Sequence, residues 1–155
     1  MKAKKIAAVM LAATMTLSLA ACGGSSSSDS KSADGASDSG KVYKIGICQQ
    51  LEHEALDQAT KGFEDACEEK FGKDNVTFDL QNGQGEQANC ATIANNFVAD
   101  NVDLIMANAT TALQCSAAAT SDIPILGTSI TDYATALDIS DWTGATGMNI
   151  SGTSD

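Results

Sequence analysis

The stretch "QQLEHEALD", residues 49–57, sets the single histidine of the chain, His53, between Glu52 and Glu54 and shortly before Asp57. Four ionisable side chains within six residues would suit a metal site, an acid–base centre or a grip on a polar ligand. A zinc-binding helix needs a second histidine at the next turn, and none is present. A Cys/His or Ser/His/Asp nucleophile built around His53 would lack any G-x-S-x-G elbow to present it. No metal and no catalytic residue is therefore assigned. Glu52, Glu54 and Asp57 also suit a plainer role, since acids in a first helical turn are stabilised by the helix dipole.

Three further stretches carry polar side chains in suggestive order. "GQGEQA" (Gly83–Ala88) matches the G-x-G-x-x-A dinucleotide fingerprint, but it follows the second strand of the pattern below rather than the first. Its glycines fit a tight turn with close backbone approach to a ligand, and no cofactor is expected. "NATTALQC" clusters Thr110, Thr111 and Gln114 at a helix start, where free N–H groups and the positive dipole end suit a carboxylate without arginine. The alternative is a threonine N-cap. "TSITD" brings Thr128, Thr131 and Asp132 together after another strand.

The elements that must position these residues follow from periodicity. "YKIGIC" (Tyr43–Cys48) is an apolar run suited to a strand buried on both faces. From Glu54 to Phe71 apolar residues recur every three or four positions, predicting an amphipathic helix that Gly72 ends. Strands are expected at Val76–Asn82, Val102–Asn108 and Ile123–Ser129, with Pro124 at the start of the last, and helices at Gln84–Asp100 and Thr111–Thr120. Beyond these the pattern thins to a loop with one helical turn and a short fifth strand within Ala145–Gly152. Alternating β and α elements with buried strands imply an α/β fold, a parallel sheet with helices on both faces. Such sheets bind ligands in the crevice outside the strands' C-terminal ends, which singles out Gln49–His53, Asn82–Gly85, Asn108–Gln114 and Thr128–Asp132.

The N-terminus reads as export machinery. Residues 1–21 carry Lys2, Lys4 and Lys5, an apolar run from Ile6 and small residues before Cys22, the layout of a secretory signal. Residues 22–40, "CGGSSSSDSKSADGASDSG", hold almost nothing to bury and read as a flexible tether. The folded part is residues 41–155. The net charge is −11 with no arginine at all, and removal of residues 1–21 would take three lysines with it. Such a chain is poorly suited to nucleic acid or anionic lipid. Cys48, Cys67, Cys90 and Cys115 are spaced one per element without a C-x-x-C, so free buried thiols are favoured over two disulfides despite the even count.

Taken together, "IGICQQLEHEALDQATKGFEDA", "FDLQNGQGEQANCATIANNFVADNVDLIMANATTALQ" and "DIPILGTSITD" resemble the ABC-transporter substrate-binding lipoproteins of the tryptophan/tyrosine-type, periplasmic-binding-protein-like group. The resemblance runs from about Tyr43 to Asp155. Leu19-Ala20-Ala21-Cys22 likewise resembles the lipobox of bacterial lipoproteins, which implies a diacylglyceryl anchor at Cys22 and a place on the extracytoplasmic face of the cell membrane. The family implies a receptor of two α/β lobes, type I in architecture, that closes on a small ligand, often an amino acid, and delivers it to an ABC permease. Carried over by position, the ligand-binding residues are Gln50, His53, Asp57, Asn82, Thr110, Thr111, Gln114 and Asp132. The threonines and helix N-terminus would take a carboxylate, and Asp57 or Asp132 an ammonium.

Two family prolines are replaced here, by Thr111 and Tyr133, and the Tyr133 ring becomes a candidate pocket wall. Family members run to roughly twice this length, so the sequence is expected to supply the N-terminal lobe alone, truncated before the second. A ligand-sensing surface lipoprotein with a membrane signalling partner is the alternative function, and a hydrolase using His53 a third.

Overall fold

The computed structural model describes residues 40–155; the expected signal, the expected lipobox at Cys22 and the expected tether through residue 39 lie outside the described residues. Nine elements follow one another: β1 (Tyr43–Gln49), α1 (Glu54–Phe71), β2 (Val76–Asn82), α2 (Gln87–Ala99), β3 (Leu104–Asn108), α3 (Thr110–Ala119), β4 (Ile125–Ile130), α4 (Tyr133–Ala136) and β5 (Ile150–Ser154). A short 3-10 turn, Lys73–Asn75, separates α1 from β2. The five strands form one sheet in the order β2-β1-β3-β4-β5, and every pairing is parallel. This is the expected α/β architecture, with helices on both faces.

Local chemistry explains the elements. In α1, His53 sits at the N-cap with extended backbone, and its Nδ1 accepts from the Ala55 N–H at 3.2 Å. Glu54 and Asp57 lie in the first turn, and Gly72, at φ 88°, closes the helix by donating to the Glu68 carbonyl. Several boundaries differ from expectation. β1 runs one residue further, to Gln49, because that side chain is buried rather than solvated. α2 starts at Gln87, since Gln84 and Gly85 both take positive φ (55° and 78°) in the preceding turn. Pro124 lies just outside β4, where its carbonyl accepts from the Ile105 N–H. The fifth strand falls at Ile150–Ser154, later than the apolar pattern indicated.

Strand alternation sends the core to two sides. Under α1 lie Ile45, Ile47, Cys67, Val76 and Met106, and Phe63 and Phe78, edge to face with each other, pack against them. The opposite face carries a larger apolar body under α2 and α3 that includes Phe97, Ile105, Leu113, Ile125 and Ile150. Phe97 reaches the sheet only because residue 46 is glycine: a Cβ there would stand 2.6 Å from the ring. The four cysteines among the described residues are free and buried, three of them in this second core. Burial pushes the Cys48 thiol far above its ordinary value, helped by the neighbouring Cys90 thiol to which it hydrogen-bonds.

Candidate functional site

The parallel register brings four polar side chains level at the C-terminal edge of the sheet. Gln49 pairs with Asn82 on one side and with Asn108 on the other, and Asn108 pairs with Thr128. Register partners share a face, so this row points to the α1 side. Just beyond it, the loops after the strands lock together through backbone bonds. Gly83 and Gly85 donate to the carbonyls of Gln49 and Gln50, and Gln50 donates to Asn108. The close approach that Gly83 permits is therefore to this loop and to the Cys90 thiol, which a Cβ at residue 83 would strike. That is a different use of the glycine from the ligand approach expected.

On the α1 side the strand ends meet a buried polar cluster. Asn108 Nδ2 donates to the Leu56 carbonyl at 2.8 Å and to Thr60 Oγ1 at 3.0 Å. Thr60 Oγ1 donates to Gln49 Oε1 at 2.7 Å, and Gln49 Nε2 donates to Asp57 Oδ1 at 2.6 Å and to the Leu51 carbonyl at 3.0 Å. Gln49, Thr60 and Asn108 are buried, whereas Asp57 stands at the surface. A cavity of about 490 Å³ opens beside this cluster, lined by Gln49, Asp57, Thr60, Lys61, Leu80 and Asn82 among others.

On the other side of the same loop, Gln50 Oε1 accepts from the Thr111 N–H at 3.2 Å, so its side chain rests on the N-terminus of α3. That helix is entered through Ala109, whose φ of 85° and ψ of 162° belong to a region almost reserved for glycine. Such a conformation costs about 1–3 kcal/mol and is held by the Ala109 N–H donating to the Thr128 carbonyl and by Leu113 donating to Ala109. No threonine caps α3; the cap position is Ala109 and receives no side-chain bond. The hydroxyls of Thr110 and Thr111 are thus not spent as N-caps.

The eight residues singled out from the sequence divide by what they touch. Gln50 and Thr111 are bonded to each other, with Thr110 adjacent. Asp57 and Asn82 share the cavity, and Asn82 Oδ1 also accepts from the Gln84 N–H at 2.7 Å. His53 caps α1 at its entry. Gln114 turns toward α4, donating to the Ala136 carbonyl at 3.0 Å, and Asp132 caps α4 through Ala134 N–H and Thr135 Oγ1. The Thr135 hydroxyl beside it holds the Asp132 carboxyl below its ordinary range. None of Thr110, Thr111, Gln114 or Asp132 lines the cavity that Asp57 faces. Tyr133 is corrected: its ring is buried against Gly127 and Gly152, and its hydroxyl donates to the Thr153 carbonyl, so it closes β4 on β5 rather than walling the strand-end site.

Gln49, Thr60 and Asn108 escaped the sequence reading as individuals. The signal available was a polar residue ending each of two otherwise buried strands, which a loop assignment hides. Among the described residues, no three His, Cys, Asp or Glu side chains gather as a metal site would require. No helix among them is long and apolar enough to cross a membrane.

The five-stranded parallel sheet with helices on both faces has the periplasmic-binding-protein-like fold. The chain belongs to the ABC transporter substrate binding protein family, whose model matches residues 44–155. It is 40% identical to a tyrosine-binding protein of Clostridioides difficile (strain R20291) over 99% of this chain and 45% of that protein. The fold matches the ligand-free, open structure of a substrate binding protein with adhesive properties from Clostridium difficile, with TM-score 0.68 and 41% identity over 74% of this chain and 39% of that one. It also matches an ABC domain in complex with L-Trp from Streptococcus pneumonia, with TM-score 0.69 and 36% identity over the same shares. The chain thus spans less than half the length of these relatives.

Proposed function

We propose that this chain forms one wall of the ligand cleft of an extracytoplasmic receptor that binds an amino acid and delivers it to an ABC permease. Family membership and the relatives that bind tyrosine or were solved with tryptophan support the ligand class. The observation that carries the reading is the pair Gln49-Gln50 at the end of β1, which supports Asp57 on one side and rests on the N-terminus of α3 on the other. A zwitterion needs those two poles: a carboxylate acceptor for its ammonium and backbone N–H groups for its carboxylate. Thr110, Thr111 and the start of α3 take the ligand carboxylate, with Gln50 giving way or bridging. Asp57 takes the ammonium, because both oxygens of Asp132 already hold α4. Asn82 and His53 complete the rim, while Gln114 and Asp132 fix the α3–α4 corner behind it. Cys22 carries the lipid that keeps the receptor at the membrane.

For residues 1–155 measured on their own, affinity should be weak, with a dissociation constant on the order of 1 mM. NMR titration of the chain with L-tryptophan and L-tyrosine tests the reading. Shifts confined to Gln50, Asp57, Asn82, Thr110 and Thr111 are expected. Absence of shifts up to several times that concentration, or shifts centred elsewhere, would overturn it. Mass spectrometry of the membrane fraction, with Cys22→Ala as the comparison, tests the anchor.

A further inference from the structure

The cluster beneath α1 has a fixed direction. The Leu56 carbonyl can only accept, so the Asn108 amide must turn its nitrogen toward it, which also places an N–H on Thr60 Oγ1. At the far end, the Leu51 carbonyl and the Asp57 carboxylate can also only accept, so Gln49 must turn its nitrogen toward both. Its Oε1 then faces Thr60, whose hydroxyl has one hydrogen and gives it there. Every donor thus points the same way, from Asn108 through Thr60 and Gln49 to Asp57 Oδ1. Asn108 Oδ1, fully buried, receives nothing in return. A chain of bonds polarised in one direction strengthens each member, and here the last member is an exposed carboxylate at the mouth of a cavity.

We infer that Asn108, Thr60 and Gln49 are positioning residues that orient Asp57 for a ligand ammonium. The relay clamps Oδ1, while Oδ2 makes no hydrogen bond among the described residues, and Asp57 lines the cavity. Gln49 and Thr60 line the same cavity, but the three act on the ammonium through Asp57 and select for a positively charged amino group over its absence. This rests on the amino-acid reading above, and the test separates the two.

The experiment measures NMR-detected affinities of the full chain for L-tryptophan and for 3-indolepropionate, which lacks the ammonium. In the wild type, tryptophan should bind about tenfold tighter, the worth of one charge-assisted bond. Thr60→Val keeps the side-chain shape and removes the relay hydroxyl. It should bring the ratio close to one by weakening tryptophan alone, and Thr60→Ser should restore the preference. A Thr60→Val chain that keeps the tenfold ratio, or that loses both ligands equally, overturns the relay and leaves the amino-acid reading standing. A wild type with no preference for the ammonium removes Asp57 from the ligand and the relay with it. Should Thr60→Val fail to fold, Gln49→Met, which deletes the donor to Asp57 at similar volume, is read by the same ratio.

Discussion

The two faces of the sheet are built to different rules. Under α2 and α3, sixteen buried residues form one apolar body in which three thiols serve as small hydrophobes; under α1 the corresponding core has five. Among the described residues, buried polar side chains are distributed the other way: Gln49, Thr60 and Asn108 lie beneath α1, and only Ser116 lies on the opposite side. Apolar burial has no direction, so it can hold a lobe together without aiming anything. Hydrogen bonds do have direction and are costly to leave unmade, so the smaller, more polar face can orient a side chain at the strand ends. The same sheet is thereby anchored from one side and aimed from the other.

If this division is correct, the largest loss of stability comes from the anchoring face. Phe97 is 1% exposed and sits on Gly46, and Phe97→Ala should cost about 3–5 kcal/mol by urea denaturation, with a cavity left above β1. Tryptophan affinity per folded molecule should not change. On the aiming face, Asn108→Leu should cost less, about 2 kcal/mol, chiefly by taking the amide donor away from the Leu56 carbonyl and the Thr60 hydroxyl. That variant should also lose its preference for an ammonium-bearing ligand. Equal stability losses at the two positions, or a ligand effect from Phe97→Ala, would erase the distinction between the faces.

The anchoring face was the more legible of the two. Ile105 and Ile125 lie in apolar strand runs, and Ile93, Ala94 and Phe97 recur in α2 at helical spacing, so order and fold class follow from local pattern. The polar cluster was not legible, because it exists only once strand register has set Gln49 beside Asn108 and α1 has laid Thr60 over both. Nothing local distinguishes Thr60 from any other threonine in a helix. The reverse held for Tyr133, whose place at a family proline made its ring a candidate pocket wall. The glycines at 127 and 152, distant in sequence, give its ring a buried seat instead.

A smaller effect probes the seam where the anchoring core touches the site loop. Gly83 lies against the Cys90 thiol, with the Gln50 carbonyl 3.0 Å from where a Cβ would stand. Gly83→Ala should destabilise by about 1–2 kcal/mol through overpacking, since the backbone there is not in a glycine-only region. Cys90→Ala in the same chain should recover part of that loss, because removing the sulfur opens room for the new methyl. Additive losses in the double variant would mean that the loop and the core do not press on each other.

The smallest effect lies at the opposite edge of the sheet, far from the strand ends, and tests whether surface charge adds to the anchoring. Lys41 Nζ stands 2.8 Å from Asp103 Oδ1, and the Lys44 N–H donates to Asp103 Oδ2 at 2.9 Å, tying the start of β1 to the residue before β3. The Lys41 ammonium first, and then that N–H, hold the Asp103 carboxyl below its ordinary range. A depressed folded value means that the contribution is complete above the unfolded aspartate value of about 3.9 and is lost as pH falls through the folded one. Both side chains are partly solvated, so the ion pair itself is worth under about 1 kcal/mol at neutral pH. Asp103→Asn should therefore lower stability slightly at pH 7 and by nothing at a pH below the folded value, as read by denaturation midpoints at both. A loss that persists unchanged at acid pH would assign the effect to the Lys44 N–H bond rather than to charge, leaving the sheet anchored by its apolar face alone.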